Sequence, residues 1–166
     1  LILYGQAYRS TVVNGQQMKV STSFDLKAPF FAYAHIPAWV EQTLPDSVQN
    51  LQQLEKFLNQ ITKNIPRPFM FKLTGIVDDA MIHVVNLPAG SQVSSPEEAH
   101  RGRKSYQLKN ESAELLGFFS TEHQTIFTHH DTYLHIHLIT SDRNQMGHLD
   151  SVRFRQGVMK LFLPAK

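Results

Sequence analysis

Three histidines in the last third of the sequence have the residue type and spacing of a metal site. His135 and His137 lie in the segment YLHIHLIT at 133–140, where aromatic and aliphatic residues favour a strand. Alternate residues of a strand point to one face, so the two imidazoles share a face with their Cα atoms about 6.5 to 7 Å apart. The turn-rich segment 141–147 then leads to His148, and a hairpin there returns this third imidazole beside the pair. The pattern predicts three ring nitrogens that converge on one cation.

Three neutral imidazoles fill one side of a tetrahedral or octahedral site and leave positions for water or substrate, as in catalytic zinc sites. Zinc is the first expectation, while manganese, iron and nickel stay open because imidazole suits all of them. The sequence has no cysteine, which excludes thiolate zinc sites, iron–sulfur clusters, disulfides and cysteine nucleophiles. The structural alternative is that His135 and His137 occupy the polar face of a strand and that His148 belongs to a turn.

The elements that must position these histidines are mainly strands. The first half contains extended patterns, with a hairpin at Asn14-Gly15, and an apolar spacing that predicts one helix near residues 47–63. We expect a second hairpin at 69–85, turning through Gly75 and Asp78-Asp79. The remaining predicted strands are 1–8, 11–13, 18–22, 30–36, 106–109, 114–119, 133–140, 151–155 and 158–163.

This order of elements predicts a mainly β (α+β) protein, largely antiparallel and with one or two helices, in which a long loop separates two sheet layers or subdomains. The first, at 1–88, is a mixed sheet with the main helix, and a loop follows at 89–105. The second, at 106–166, is an antiparallel, barrel-like half that carries the metal site. Together they form one compact unit.

Composition excludes several classes of protein. The 166 residues are 42% hydrophobic and 18% charged, enough apolar surface for a folded core, so the chain is not disordered as a whole. No apolar run approaches the roughly 18 residues needed to cross a bilayer. The net charge of +2 is too small to indicate nucleic-acid binding by bulk charge. The start at Leu1 suggests a trimmed amino terminus, so cytoplasmic and exported locations both stay open.

The histidine segment resembles a known family motif. The string YLHIHLITSDR at 133–143, followed by GHLD at 147–150, is similar to the metal-binding motif of the alpha-acetolactate decarboxylase family. Similarity continues in the same order over nearly the whole chain, at 28–32, 69–75, 106–110 and 115–118.

The resemblance implies a site and a reaction. It implies that His135, His137 and His148 are three zinc ligands on the second of two β subdomains. It also implies a metal-dependent decarboxylase that converts acetolactate, a 2-hydroxy-3-oxo acid, to acetoin. The metal would polarise the ketone and hydroxyl oxygens of the substrate, and a positioned acid would deliver a proton to carbon.

The chain differs from the family pattern at several positions. His83 stands where the family has an arginine, which makes it a candidate catalytic residue as a substrate-facing donor, with an ordinary semi-buried strand histidine as the alternative. Two family glutamates would fall before Leu1 and after Lys166, and Met146 replaces the first glycine of a Gly-Gly-His step. These differences keep a second hypothesis open, a noncatalytic or diverged metal-binding homologue of cupin-like character.

Other polar residues have weaker functional patterns. Asp142 would be an acidic fourth ligand in a cupin-like site, but its sequence context favours a turn. His129 and His130 are interpreted as solvated loop residues. The cluster HRGRK at 100–104 is favoured as a solvated loop, and a DNA-binding module that uses Arg101 and Arg103 is the third hypothesis. The expected partner is a small-molecule 2-hydroxy-3-oxo acid substrate and not a membrane; nucleic acid is disfavoured as a partner, and a homodimer stays open.

Overall fold

The computed structural model describes residues 1–25, 32–87, 90–91, 102–124 and 132–165. Within these ranges the chain forms one helix and nine strands. The first strands are β1 (Ile2–Leu3), β2 (Gln6–Val13), β3 (Gln17–Thr22) and β4 (Trp39–Thr43). After helix α1 (Leu51–Ile61) come β5 (Phe69–Val85), β6 (Arg103–Phe119), β7 (Leu134–Thr140), β8 (Met146–Phe154) and β9 (Lys160–Pro164).

The strands build two sheets, and the strand pairs described in both are antiparallel. The small sheet has the order β1-β2-β3, and the large sheet has the order β4-β9-β5-β6-β7-β8. An additional pairing of β5 with β8 folds the large sheet back on itself without closing a barrel. The predicted mainly β class with one helix is confirmed. One detail differs, because the described strand pairs of the amino-terminal half are antiparallel and do not form the predicted mixed sheet.

Strand β5 corrects the predicted hairpin at 69–85. It runs unbroken for 17 residues and pairs along its length with the equally long β6, so the prediction of separate strands at 106–109 and 114–119 is also wrong. Gly75 does not form a turn. Its lack of a side chain allows Met159 to approach the strand closely, because a Cβ at Gly75 would lie 2.6 Å from the Met159 sulfur. The Asp78-Asp79 pair coincides with a register shift against β8, which bends the strand as a bulge does.

The predicted strand at 30–36 is absent from its described part, 32–36, while residues 30 and 31 lie outside the described ranges. The neighbouring strand is β4, which begins at Trp39 and pairs with β9 at the edge of the large sheet. Pro37 gives the physical reason. Proline has no backbone N–H for a sheet ladder, so the chain joins the sheet only after it.

Helix α1 confirms the predicted helix with shorter bounds. It begins after Asn50, whose side-chain oxygen accepts a hydrogen bond of 3.0 Å from the backbone N–H of Gln53 and so caps the first turn. Leu54 and Leu58, one turn apart, are fully buried against the main core. Among the described residues, no helix is both long and apolar enough to span a bilayer.

The small sheet packs on the face of the large sheet that carries the histidines. Leu3 of the small sheet packs against Ile139 and Met146 of the large sheet. The predicted hairpin at Asn14-Gly15 joins β2 and β3 of the small sheet and is confirmed. Ile139 and Met146 lie directly opposite each other on β7 and β8. Because side chains alternate along a strand, the residues two positions along, His137 and His148, point to this same face.

The paired β5 and β6 connect the two predicted halves of the chain. β5 belongs to the first half, and β6 begins at Arg103, within the predicted loop at 89–105. Of that loop only 90–91 and 102–105 are described. The division into 1–88 and 106–166 therefore stays a prediction.

Candidate metal centre

A row of directly opposed residues across three strands places the candidate ligands together. His148 of β8 pairs with His137 of β7 on one side and with His83 of β5 on the other. Directly opposed residues of antiparallel strands share a face, with Cβ atoms about 4.5 to 5.5 Å apart. His135 is two residues before His137 and so adds a fourth imidazole on that face.

His135, His137 and His148 meet closely enough to hold one ion. A ring nitrogen from each lies within 4.8 Å of the others. Among the described residues, no other group of three or more histidine or acidic side chains has such spacing. The His135 and His137 rings are stacked at 5.2 Å between centroids, and the His137 and His148 centroids are 4.0 Å apart. The structure therefore brings together the three rings that the sequence predicts to converge, and their role as metal ligands stays a prediction.

The separation of one pair of ring nitrogens matches the value expected for two ligands of a shared metal. The Nε2 atoms of His135 and His137 are 3.2 Å apart. Two nitrogens that each lie about 2.0 to 2.1 Å from one zinc are roughly 3.3 Å apart at a tetrahedral angle and about 2.9 Å apart at a right angle. A single N–H···N hydrogen bond would also explain two rings at this distance, but not the third imidazole beside them. The donor set therefore fits a divalent transition metal.

The protonation state also suits metal binding. Burial of the ring, and then the neighbouring imidazoles of His148 and His135, hold the pKa of His137 well below its ordinary value. An imidazole must be neutral to offer a nitrogen lone pair to a metal. All three residues keep part of their surface exposed, so a solute has access to the cluster.

A second layer of polar contacts lies behind His148. The His83 ring is stacked on the His148 ring, with centroids 5.1 Å apart and planes 15° apart. The Nδ1 atom of His83 is 2.7 Å from Oδ1 of Asp150, and Arg103 donates to the other oxygen of that carboxylate. His83 is only 3% exposed. His83 therefore contacts the candidate ligand His148 but is itself shielded from solvent.

A cavity of about 590 Å³ lies next to the cluster. One wall is the small sheet, through residues 8–12, and the others come from 84–87 and from the β7–β8 pair at 137 and 146–148. Its size is in the usual range for sites that bind small organic ligands. His137 and His148 face it, whereas His83 is not among the residues that line it.

The remaining predicted residues have structural surroundings. Asp142 accepts hydrogen bonds from Thr140 and Asn144 within the β7–β8 turn, and these bonds lower the pKa of its carboxyl group. This arrangement agrees with the favoured turn role. His129 and His130 lie outside the described residues, as do positions 100 and 101 of the basic cluster. Arg103 of that cluster pairs with Asp150.

Sequence reasoning missed three contributors to this site. Asp150 and Arg103 form the contacts behind His148, and Gly147 lets β8 approach β5, because a Cβ on Gly147 would lie 2.5 Å from the backbone oxygen of His83. Asp150 and Gly147 both belong to the segment GHLD, so that motif contained a signal for them. Arg103 could be found only through the sheet register that places it opposite Val85.

The fold and the site together define a β-rich protein with a cluster of three imidazoles that is suited to a divalent metal, and two of these, His137 and His148, line a cavity. Comparison with known families gives the narrower assignment. The model of the alpha-acetolactate decarboxylase family matches residues 1–163, and the chain belongs to this family.

Solved structures with the same fold include family members. Acetolactate decarboxylase from Bacillus subtilis subspecies spizizenii aligns with a TM-score of 0.71 at 17% identity over 98% of this chain and 66% of that chain. The enzyme from Bacillus subtilis strain 168 aligns with a TM-score of 0.65 at 15% identity, over 98% of this chain and 66% of that one. A Staphylococcus aureus protein of unknown function, described as similar to alpha-acetolactate decarboxylase, aligns with a TM-score of 0.69 at 14% identity over 99% and 67% of the two chains.

The chain thus spans about two thirds of the length of these structures. None of the curated proteins matches the sequence. At these identities the structural likeness establishes the fold.

Proposed function

We propose that this protein is a metal-dependent decarboxylase that converts acetolactate to acetoin. The observation that supports the proposal best is the meeting of the His135, His137 and His148 nitrogens beside a cavity that His137 and His148 line, in a chain of the acetolactate decarboxylase family. We further propose zinc as the metal, because three imidazoles with open positions are typical of catalytic zinc sites.

The substrate class explains why such a site would be needed. Acetolactate is a 2-hydroxy-3-oxo acid, in which a ketone lies beta to the carboxylate. When the bond to carbon dioxide breaks, its electron pair moves toward the ketone oxygen, and a proton must then reach carbon to give acetoin. A bound divalent metal would supply a Lewis acid that stabilises the negative charge on the oxygens.

The residues of this chain would hold the metal and shape the cavity. The neutral His135, His137 and His148 rings would be the ligands, and the half-enclosed cavity would limit access of water to the charge that develops. A catalytic role for His83 stays a proposal. It is supported by the stacking of His83 on His148, and its burial behind that ring favours an action through His148 over direct contact with substrate.

The test combines metal analysis with turnover. Purified protein should contain about one equivalent of a divalent metal and should release carbon dioxide and acetoin from acetolactate. Single changes of His135, His137 or His148 to Ala should abolish both properties. His35→Ala is the matched control, because His35 is an exposed histidine outside the cluster and its loss should change neither property.

The outcomes separate the hypotheses. Metal without acetoin formation would favour the noncatalytic metal-binding homologue, for which the histidine at position 83 is the motivating feature. Absence of metal from the wild-type protein would contradict the site itself. Retention on duplex DNA that weakens with salt would favour the DNA-binding module. The pairing of Arg103 with Asp150 argues against that module, since the guanidinium already has a carboxylate partner.

A further inference from the structure

We propose that Arg103, Asp150 and His83 are positioning residues that fix the orientation of the metal ligand His148. This inference rests on the proposed metal site but not on the reaction carried out there. The three residues form a hydrogen-bonded chain across the sheet, which ends in a ring stacked on His148.

The sheet register brings the chain together. His83 of β5 lies opposite His148 of β8, and Asp150 is two residues further along β8 on the same face. On the other side of β5, Arg103 of β6 lies opposite Val85, two residues beyond His83. Three adjacent strands thus contribute one residue each to the chain and share a single face.

The hydrogen bonds define the role of each group. Asp150 uses both carboxylate oxygens, with Oδ1 at 2.7 Å from Nδ1 of His83 and Oδ2 at 2.5 Å from Nη2 of Arg103. A carboxylate paired with a guanidinium only accepts hydrogen bonds, so the Nδ1 atom of His83 is the donor. This bond fixes which edge of the His83 ring faces Asp150.

Packing transmits that orientation to His148. The His83 ring is almost fully buried and nearly parallel to the His148 ring, at 5.1 Å between centroids. The backbones are also close here, since Gly147 leaves no room for a Cβ beside the His83 carbonyl. The His148 ring is therefore confined between His83 on one side and His137, at 4.0 Å, on the other.

Contacts outside the ligand set commonly raise metal affinity by orienting the ligands, and their loss costs about 10- to 100-fold. In the usual arrangement a carboxylate binds the ligand imidazole itself. Here the carboxylate binds His83, and the geometry points to a relay in which a stacked, non-ligand imidazole orients the ligand. We therefore expect weaker metal binding on loss of any member of the relay, without loss of the site.

The experiment measures the dissociation constant of Co²⁺ from the full chain by chelator competition. It also records the visible absorption spectrum of the Co²⁺-bound protein. Asp150→Ala and Arg103→Gln should each weaken Co²⁺ binding by about 10-fold or more and change the spectrum. Arg103→Lys should recover most of the affinity, because a lysine ammonium can replace a single charged contact. Arg153→Gln is the matched control, since Arg153 is exposed on the same strand as Asp150 and should be neutral.

Two results would overturn the relay. One is wild-type affinity and spectrum in both Asp150→Ala and Arg103→Gln. The other is a loss in His83→Ala as complete as that in His148→Ala, which would make His83 a ligand. Thermal unfolding of the metal-free variants shows whether each one is folded, and His83→Phe, which keeps a stacked ring, supplies a second variant should His83→Ala fail to fold.

Failure of the relay and failure of the proposed function are distinguishable. Acetoin formation by the wild type, with unchanged Co²⁺ affinity in the variants, would reject the relay alone. Co²⁺ binding that depends on Asp150 and Arg103, without acetoin formation, would reject only the decarboxylase assignment. A wild-type protein that binds no Co²⁺ or zinc would reject both.

Discussion

Replacement of Gly147 by Ala should damage both stability and metal binding. The added Cβ would lie 2.5 Å from the backbone oxygen of His83, 3.1 Å from its carbonyl carbon and 3.3 Å from its nitrogen. The first distance is almost an ångström shorter than the 3.4 Å at which ordinary contacts begin. All three atoms belong to the backbone of β5, so no side-chain rotation can relieve the overlap, and β5 and β8 must separate.

The magnitude follows from the cost of overpacking. Extra methyl groups forced into a packed interior usually cost about 1 to 3 kcal/mol of unfolding free energy. For a chain of this size that corresponds to a melting temperature lower by roughly 2 to 12 °C. The separation occurs at the row that holds His83, His148 and His137, so metal affinity should fall by about 10- to 100-fold as well.

The assay has two parts. Thermal or urea unfolding of metal-free protein gives the stability change, and chelator competition gives the metal affinity. Ser151→Ala is the control, because Ser151 is an exposed residue of the same strand and its change should alter neither value. Wild-type stability together with wild-type metal affinity in Gly147→Ala would refute the argument that β8 must approach β5 this closely.

Three further predictions concern the ligands, the helix and the core. Each of His135→Ala, His137→Ala and His148→Ala should reduce bound metal to background in elemental analysis of purified protein, and retained metal in any one would remove that residue from the ligand set. Asn50→Ala removes the cap of α1 and should lower the unfolding free energy by about 1 kcal/mol in urea titrations, whereas an unchanged midpoint would show that the cap is replaced by other groups. Leu54→Ala should lower the unfolding free energy by about 2 to 5 kcal/mol in the same measurement, because the Leu54 side chain is fully buried. A decrease below about 1 kcal/mol would mean that the core closes around the space that the missing side chain leaves.

Several elements could be predicted from local sequence because local physics decides them. The helix follows from apolar residues at helical spacing, and the first hairpin follows from Asn14-Gly15, a pair suited to the turn. The two histidines of the strand motif share a face because of the alternation of any strand. The third, His148, was predicted to return by a hairpin, and the register opposite His137 agrees.

The hairpin predicted at 69–85 from turn-type residues is wrong because tertiary packing determines the conformation of this segment. Gly75 and Asp78-Asp79 are typical turn residues, yet they lie within one continuous strand. The glycine is required by the close approach of Met159, and the aspartates lie at a bulge where Asp78 pairs with Arg155. Partners more than 70 residues away in sequence determine this conformation, and a local pattern contains no information about them.

The donor types, their shared face and the family could be predicted from the order of the amino acids alone. The contacts that support those donors became visible only in the fold. His83 could be recognised as a candidate, but its burial behind His148, its contact with Asp150 and the approach of Arg103 depend on the registers of β5 with two different strands. Register is set by the packing of whole sheets, since a one-residue shift would turn every one of these side chains to the opposite face.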